Sequence, residues 1–189
     1  APLKGHILAA RPGHVANVEF ARKIKALMKR DRFRERAPKY DPAEKPLLDI
    51  NGVMKFLPHR APFLFVDKII ELSDKHVVGV KNVTMNEWFF PGHLPGAPVF
   101  PGVIQIEAMA QVGGVAMLYP EENRGKIAVF GKIDNVRFRR QVVPGDQVIT
   151  TATVTKIRGN MGIIRCEGMV DGKLACEGEF TFAIVDKKE

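Results

Sequence analysis

The sequence contains few cysteines, few tyrosines and no cysteine motif. Its 189 residues include 2 Cys, 2 Tyr and 1 Trp. Cys166 and Cys176 belong to no CxxC pair and to no His/Cys cluster with metal-ligand spacing. Both lie in stretches of alternating apolar residues, and we interpret them as core thiols in a reducing compartment.

Long apolar segments are also missing. The sequence has no run of about 18 apolar residues, the length that a membrane-spanning helix requires. Its first residues lack the charged, apolar and small-residue zones of a signal peptide. We therefore expect a soluble, cytoplasmic protein.

Positive charge is abundant, but it is concentrated near the N-terminus. Residues 1–45 hold 12 Lys and Arg against 5 Asp and Glu, whereas residues 46–189 hold 17 against 16. The basic runs contain few aromatic residues, which is typical of a solvated helix face or a tether rather than of a nucleic-acid binder. At this length, with 46% hydrophobic residues, we expect one substantial core and one appendage.

The appendage is predicted to end before a proline-rich linker. Residues 5–12 favour a short strand, and residues 14–36 carry apolar positions at helical spacing. Three prolines and no apolar pattern mark residues 37–46 as a linker. The predicted organisation is an N-terminal segment at 1–36, a linker at 37–46 and a main domain at 47–189.

The main domain is predicted to combine antiparallel strands with one buried helix. We expect helices at 49–56 and 101–118, and strands at 63–72, 76–83, 126–140, 146–158, 161–170 and 173–185. The second helix is apolar on almost every face, so it should be buried, with Pro101 at its first position. The predicted fold class is α+β, an antiparallel meander curved around a central helix, and Gly113 and Gly114 allow close approach to that helix.

A histidine and a glutamate in this region have the chemistry of an acid–base pair. His93 lies in the loop PGHLPG, and Glu107 lies in the most apolar stretch of the chain. Gln111 follows Glu107 by four residues, so its amide can hydrogen-bond the carboxyl group on the same helix face. The residues alone leave two readings open: a general base with a general acid, or a purely structural contact.

Three motifs in this region resemble those of one enzyme family. LPHRAPFLFVDKI (57–69), FFPGHLPGAPVFPGVIQIEAMAQVGG (89–114) and IDNVRFRRQVVPGDQV (133–148) are similar to the beta-hydroxyacyl-acyl carrier protein dehydratases of type II fatty acid synthesis. The resemblance covers residues 47–185. It implies a hot-dog fold, a dimer as the active unit, commonly a trimer of dimers, and dehydration of a hydroxyacyl thioester on an acyl carrier protein without a cofactor.

The resemblance also implies roles for individual residues. The catalytic histidine corresponds to His93, the catalytic acid to Glu107, and the residue that orients this acid to Gln111. Gly102 matches the helix-start glycine whose N–H meets the thioester carbonyl, where negative charge develops. Further substrate-binding positions are Leu94, Phe100 and Val103, and the loop sequence leaves the acyl chain length open.

Four basic residues are candidates for carrier-protein binding. They are Lys132, Arg137, Arg139 and Arg140, which flank the third predicted strand. Acyl carrier proteins are acidic, so a patch here would steer the carrier to the site. Ordinary edge-strand charge is the alternative interpretation.

The N-terminal segment resembles a second enzyme. KGHILAARPGHVANVEFARKI (4–24) is similar to the last strand and helix of the zinc-dependent UDP-3-O-acyl-N-acetylglucosamine deacetylase of lipid A synthesis, with its catalytic histidine at His14. Some bacteria of the Bacteroidetes type fuse this deacetylase to the dehydratase, and the chain would then be a fragment of such a multifunctional enzyme. The deacetylase zinc ligands would lie upstream, so we expect no metal at His6 or His14. A hot-dog thioesterase and a catalytically silent acyl-binding module remain alternatives.

Overall fold

The computed structural model describes residues 13–36, 38 and 40–187, and the chain divides into two compact units between residues 36 and 37. The first unit contains α1 (His14–Arg36), a helix at the predicted position. Val15, Phe20 and Leu27 on this helix are exposed. The strand predicted at 5–12 lies outside the described residues. Among the helices that the structure describes, none is long and apolar enough to cross a membrane.

In its described residues, the second unit contains two α-helices, a single 3-10 turn (Glu121–Asn123) and six strands. The helices are α2 (Ile50–Phe56) and α3 (Gly102–Leu118). The strands are β1 (Lys68–Leu72), β2 (His76–Asn82), β3 (Ile127–Phe138), β4 (Gln147–Arg158), β5 (Met161–Val170) and β6 (Lys173–Val185). They form one antiparallel sheet in the order β1-β2-β4-β5-β6-β3.

Helix α3 packs along this sheet and forms the centre of the core. It contacts five of the six strands, and every residue from 108 to 118 is buried. A Cβ at Gly113 would lie 3.3 Å from Ile164 Cδ1, and one at Gly114 would lie 3.4 Å from Leu57 Cδ2. The α+β fold with a sheet around a buried helix is therefore confirmed. The helix starts one residue later than predicted, because Pro101 has extended backbone angles and is the N-cap.

The meander prediction is correct for β4, β5 and β6 and wrong for β3. Asp171 and Gly172 have φ angles of 52° and 67°, so this pair can form the tight turn between β5 and β6. The strand β3 pairs with β6 at the far edge of the sheet instead of with β4. Chain order alone cannot determine this choice, because β2 and β3 could each pair with either outer edge of the β4-β5-β6 meander, and β2 occupies the β4 edge.

The first strand is shorter than predicted. The sequence pattern predicted a strand from residue 63, but β1 begins at Lys68. The backbone polar groups of Phe63 and Phe65 bond to the side chain of Gln111 instead of to a neighbouring strand. A side chain from α3 therefore takes the place of strand pairing over these residues.

Candidate active site

Glu107 is held from one side by Gln111. The Gln111 Nε2 donates to Glu107 Oε1 at 2.9 Å and to the Phe63 carbonyl at 2.8 Å. The Gln111 Oε1 accepts the Phe65 N–H at 2.8 Å. Gln111 is 2% exposed, and its three hydrogen bonds fix the orientation of the amide. Only Oε1 of Glu107 has a side-chain partner among the described residues, which leaves Oε2 available for a ligand.

The N-terminus of α3 is built without a side-chain cap. The Pro101 carbonyl accepts from the N–H groups of Ile104 and Gln105, and Pro101 makes no side-chain cap bond. The first two helical N–H groups, of Gly102 and Val103, have no intrahelical acceptor, as is usual for a first turn. Gln105 Nε2 donates to the Phe100 carbonyl at 2.8 Å and stiffens the entry to the helix. This terminus can stabilise negative charge on a bound oxygen.

His93 lies on a loop with a defined imidazole orientation. Its Nδ1 lies 2.8 Å from the Val99 carbonyl, and its backbone N–H donates to the Phe89 carbonyl at 2.9 Å. Since a carbonyl oxygen can only accept, Nδ1 carries the proton, and the neutral ring has its lone pair on Nε2. Leu94 and Gly96, with φ angles of 56° and 84°, turn the chain directly after the histidine. The loop therefore fixes a ring whose Nε2 can accept a proton.

The loop is supported by aromatic packing and a partly buried ion pair. Phe100 is fully buried and stacks on Phe89 with ring centroids 5.3 Å apart, so this packing supports the loop that carries His93. Lys81 Nζ donates to Glu87, whose carbonyl accepts the Phe90 N–H. By contrast, Leu94 and Val103 are exposed, so their predicted contact with substrate stays a prediction.

A cavity contains Glu107 but not His93. Glu107, Gln111 and His59 provide its polar side chains. Its apolar lining is formed by Leu57, Pro58, Ala110, Leu118, Ala128, Phe130 and Phe182, with Gly114. Among the described residues, no hydrogen bond or ion pair joins His93 to Glu107 within one chain. The structure thus brings Gln111 to Glu107, whereas His93 neither bonds to Glu107 nor lines this cavity.

Sequence reasoning missed His59. Its Nε2 lies 3.6 Å from Glu107 Oε1, and its side chain is 29% exposed. Burial lowers the pKa of His59, with Glu107 opposing this shift and Arg60 adding to it. The motif LPHR contains the residue, but only the fold brings it to the carboxyl group.

No metal-binding cluster is found in the part of the chain that the structure describes, where no three His, Cys, Asp or Glu residues converge. His14 is the first residue of α1, and His6 lies outside the described residues. Burial raises the pKa of the Cys176 thiol to about 12 and raises that of Cys166 as well. Both cysteines are therefore unreactive core thiols.

A family model and close relatives match the second unit. The model of the FabA-like domain matches residues 57–179. The 3-hydroxyacyl-[acyl-carrier-protein] dehydratase FabZ of Bacillus cereus (strain AH820) is 54% identical over 144 residues, which cover 76% of this chain and 100% of that protein. The chain belongs to the FabZ family.

Some relatives of this FabZ-family chain extend over both units. The bifunctional enzyme LpxC/FabZ of Porphyromonas gingivalis is 46% identical over 189 residues, and that of Bacteroides thetaiotaomicron is 45% identical over 190 residues. Each match covers 99% of this chain, but only 40% and 41% of the respective bifunctional protein. The first unit is therefore similar to a segment of these bifunctional proteins.

Solved structures support the hot-dog fold. The dehydratase heterocomplex ApeI:P from Xenorhabdus doucetiae aligns with a TM-score of 0.62 at 23% identity, covering 71% of this chain and 91% of that chain. Thioesterase HI1161 from Haemophilus influenzae aligns with a TM-score of 0.51 at 21% identity, covering 65% and 80%. At these identities the likeness shows the fold alone.

Most of the predicted basic residues of this FabZ-family chain pair with carboxylates. Lys132 Nζ lies 2.8 Å from Asp134, Arg139 lies 2.5 Å from Glu177, and Arg140 lies 3.6 Å from Asp146. The hydrogen bond from Arg139 lowers the pKa of Glu177. Among the described residues, Arg137 alone of the four forms no ion pair. Its charge nevertheless acts on Glu177 across β3 and β6 and helps to lower the pKa of that carboxyl group.

Proposed function

We propose that this chain dehydrates a (3R)-hydroxyacyl group on acyl carrier protein to the trans-2-enoyl product in type II fatty acid synthesis. The observation that carries the proposal is the Glu107 carboxyl group, which Gln111 holds by Oε1 beside an apolar cavity. The match to a FabZ dehydratase, at 54% identity over the whole length of that protein, supports the same reaction.

In the proposed mechanism, His93 acts as the base. Its Nε2 lone pair removes the α-proton of the thioester, while the Val99 carbonyl holds the Nδ1 proton in place. The electron pair left on the α-carbon delocalises onto the thioester oxygen. The N–H of Gly102 at the start of α3 stabilises that negative charge.

Glu107 acts as the acid in the same mechanism. Oε2 donates a proton to the β-hydroxyl, the C–O bond breaks, and one water leaves as the double bond forms. The reaction needs no electron acceptor, because elimination of water involves no net oxidation or reduction of the substrate. The carboxylate that remains is reprotonated from the imidazolium of His93 or from solvent.

We infer that the complete site requires a second copy of the chain. His93 does not line the cavity that contains Glu107 of the same chain. Ala128 and Phe130 of β3 do line it, and β3 is an edge strand of the sheet. This strand also exposes Val129, Ile133 and Phe138. A homodimer that covers this edge would bury the apolar groups and bring the partner's loop near the cavity. A trimer of such dimers is the larger assembly that we expect.

The carrier protein is the proposed partner of the basic residues. Arg137, which forms no ion pair among the described residues, can approach an acidic surface, and Lys132, Arg139 and Arg140 can exchange their present carboxylate partners for those of the carrier. We expect the reaction to take place in the cytoplasm, where the two free cysteines stay reduced.

For the first unit, we propose descent from the deacetylase part of a bifunctional lipid A enzyme. The support is the 46% identity to LpxC/FabZ over 99% of this chain.

Mass spectrometry of the carrier-bound substrate tests the proposed reaction. Incubation with the chain should remove one water from hydroxyacyl-carrier protein, and the enoyl form should gain one in the reverse direction. Release of free carrier thiol would instead indicate a thioesterase. No change in mass with any chain length, while the substrate still binds, would favour a silent acyl-binding module.

A further inference from the structure

The imidazole of His59 and the carboxyl group of Glu107 share one cavity but belong to different elements. His59 follows α2, whereas Glu107 lies on the second turn of α3. The contact joins His59 Nε2 to Glu107 Oε1 over 3.6 Å, on the same carboxyl oxygen that accepts from Gln111. Two nitrogen atoms from separate parts of the chain thus approach one oxygen, and the other oxygen remains free.

The backbone around His59 is fixed by its neighbour Arg60. The Arg60 guanidinium donates to the carbonyls of Met54, Leu57 and His59 itself, at 3.2, 2.9 and 2.7 Å. These bonds tie the segment after α2 to the last turn of that helix. The ring of Phe63 stacks on the imidazole with centroids 6.3 Å apart. These hydrogen bonds and the ring stacking together hold His59 in place.

The surroundings of His59 favour its neutral form. Its Nδ1 is buried and, within the described part of the chain, has no hydrogen-bond partner. Protonation would place an N–H at that buried position, and unpaired buried N–H groups are rarer than unpaired acceptors. The same argument assigns the single proton of the neutral ring to Nε2, which faces Glu107.

We propose that His59 is a positioning residue for Glu107, an inference that rests on the proposed dehydration. With Gln111, the Nε2–H of His59 restrains Oε1, so that Oε2 points its proton at the β-hydroxyl of the substrate. At 3.6 Å the contact is longer than a hydrogen bond, and catalytic contacts of this kind commonly tighten in the substrate complex.

Two substitutions at His59 separate positioning from packing. His59→Leu fills the space but removes the donor, and we expect kcat to fall about 10-fold with KM changed less than about two-fold. His59→Gln keeps a donor at similar reach and should recover kcat to within about three-fold of the wild type. His76→Leu is the matched control, because His76 pairs with Glu71 over 3.0 Å at the surface, and it should leave turnover unchanged.

A titration followed by NMR tests the contact without any turnover. The charged groups that act on His59 are Glu107, which raises its pKa, and Arg60, which lowers it. Glu107→Gln removes the carboxyl group whose charged form raises the pKa of His59, so this pKa should fall further. A constant pKa of His59 would overturn the contact.

Kinetic outcomes distinguish this inference from the proposed function. If the wild type dehydrates the substrate and His59→Leu retains full kcat, the positioning role is wrong and the function stands. If His59→Gln loses as much kcat as His59→Leu at equal melting temperature, the donor is not the relevant feature, and the inference is also wrong. A wild type without dehydration, with the NMR shift intact, would refute the proposed function instead.

Discussion

The ring of Phe138 lies against the Cα of Gly102 at the first residue of α3. A Cβ at Gly102 would lie 2.7 Å from Phe138 Cζ, too close for any real side chain unless the ring moves. Phe138 is 50% exposed, so its ring has room to rotate away. We therefore expect that glycine at position 102 keeps the helix N-terminus open to a ligand, and that it contributes little to the free energy of unfolding.

Gly102→Ala should therefore lower turnover while the protein stays folded. We expect a change of less than about 1 kcal/mol in the free energy of unfolding, because Ala is a better helix former and offsets the ring movement. We expect turnover to fall at least about 10-fold, since the methyl group and the displaced ring crowd the N–H that meets the thioester oxygen. Urea unfolding and a kinetic assay measure the two effects. Unchanged turnover would remove Gly102 from the mechanism.

Glu107→Gln should abolish most of the dehydration. The amide oxygen of Gln can still accept from Gln111, so the local structure should persist, but the amide has no acidic proton to donate. General acid–base groups contribute about 100- to 10,000-fold, and we expect a loss in that range. The measurement is loss of water from hydroxyacyl-carrier protein, with circular dichroism as the control for folding. Near-full turnover of the folded variant would contradict the assignment.

The pairing of Glu177 with Arg139 predicts a pH-dependent contribution to stability. Because the folded-state pKa of Glu177 is lowered, its contribution is complete above the ordinary carboxyl pKa and is lost as the pH falls through the folded-state value. Glu177→Gln should lower the free energy of unfolding by up to about 1 kcal/mol at pH 7, since the Arg139 side chain is 45% exposed and solvent screens the pair. The difference from the wild type should shrink by pH 3. Asp134→Asn, at the exposed pair with Lys132, is the control and should cause no measurable change. A difference for Glu177→Gln that grows on acidification would contradict the prediction.

Much of the fold could be predicted because the relevant signals are local. Helix α3 is apolar on almost every face, so it must be buried in any fold of this chain. The Asp171–Gly172 pair favours positive φ angles, so it predicts a tight turn without help from distant residues. Glu107 and Gln111 share a helix face at a spacing of four, so their hydrogen bond could also be anticipated.

The missed features depend on contacts between distant residues. The strand predicted from residue 63 fails because Gln111, 48 residues later, bonds to the Phe63 carbonyl. His59 could not be assigned to the site for the same reason, since α2 and α3 meet only in the folded chain. No spacing rule connects positions so far apart.

Removal of the first unit should leave turnover intact. The described structure divides between residues 36 and 37, and the proposed catalytic residues all lie in the second unit. Tyr40 belongs to that second unit, because its hydroxyl accepts from Lys68 Nζ at 2.7 Å. Deletion of residues 1–36 should therefore preserve both stability and turnover, whereas deletion of 1–45 removes the Tyr40 contact and should lower the melting temperature slightly. Loss of turnover in a folded 37–189 chain would show that the first unit completes the site.

The separation of His93 from the Glu107 cavity leads to a complementation experiment. If each site joins His93 of one subunit to Glu107 of the other, a symmetric dimer has two sites with crossed ownership. His93→Ala and Glu107→Gln chains, each nearly inactive, are refolded together in equal amounts. In a mixed dimer one site then carries both substitutions and the other carries neither. Random pairing makes about half of the dimers mixed, so about a quarter of the wild-type activity should return.

Each alternative arrangement gives a different result in this experiment. If both residues of a site came from one chain, every site would carry one substitution, and no activity would return. Mass spectrometry of the intact assembly verifies that mixed dimers have formed. A further control is the double variant His93→Ala/Glu107→Gln mixed with wild type. If each site joins residues of two subunits, both sites of a mixed dimer carry one substitution and are inactive. Only the wild-type dimers, about a quarter of the total, then remain active. Under the single-chain arrangement the same mixture would keep about half of the activity, so the two mixtures together decide between the arrangements.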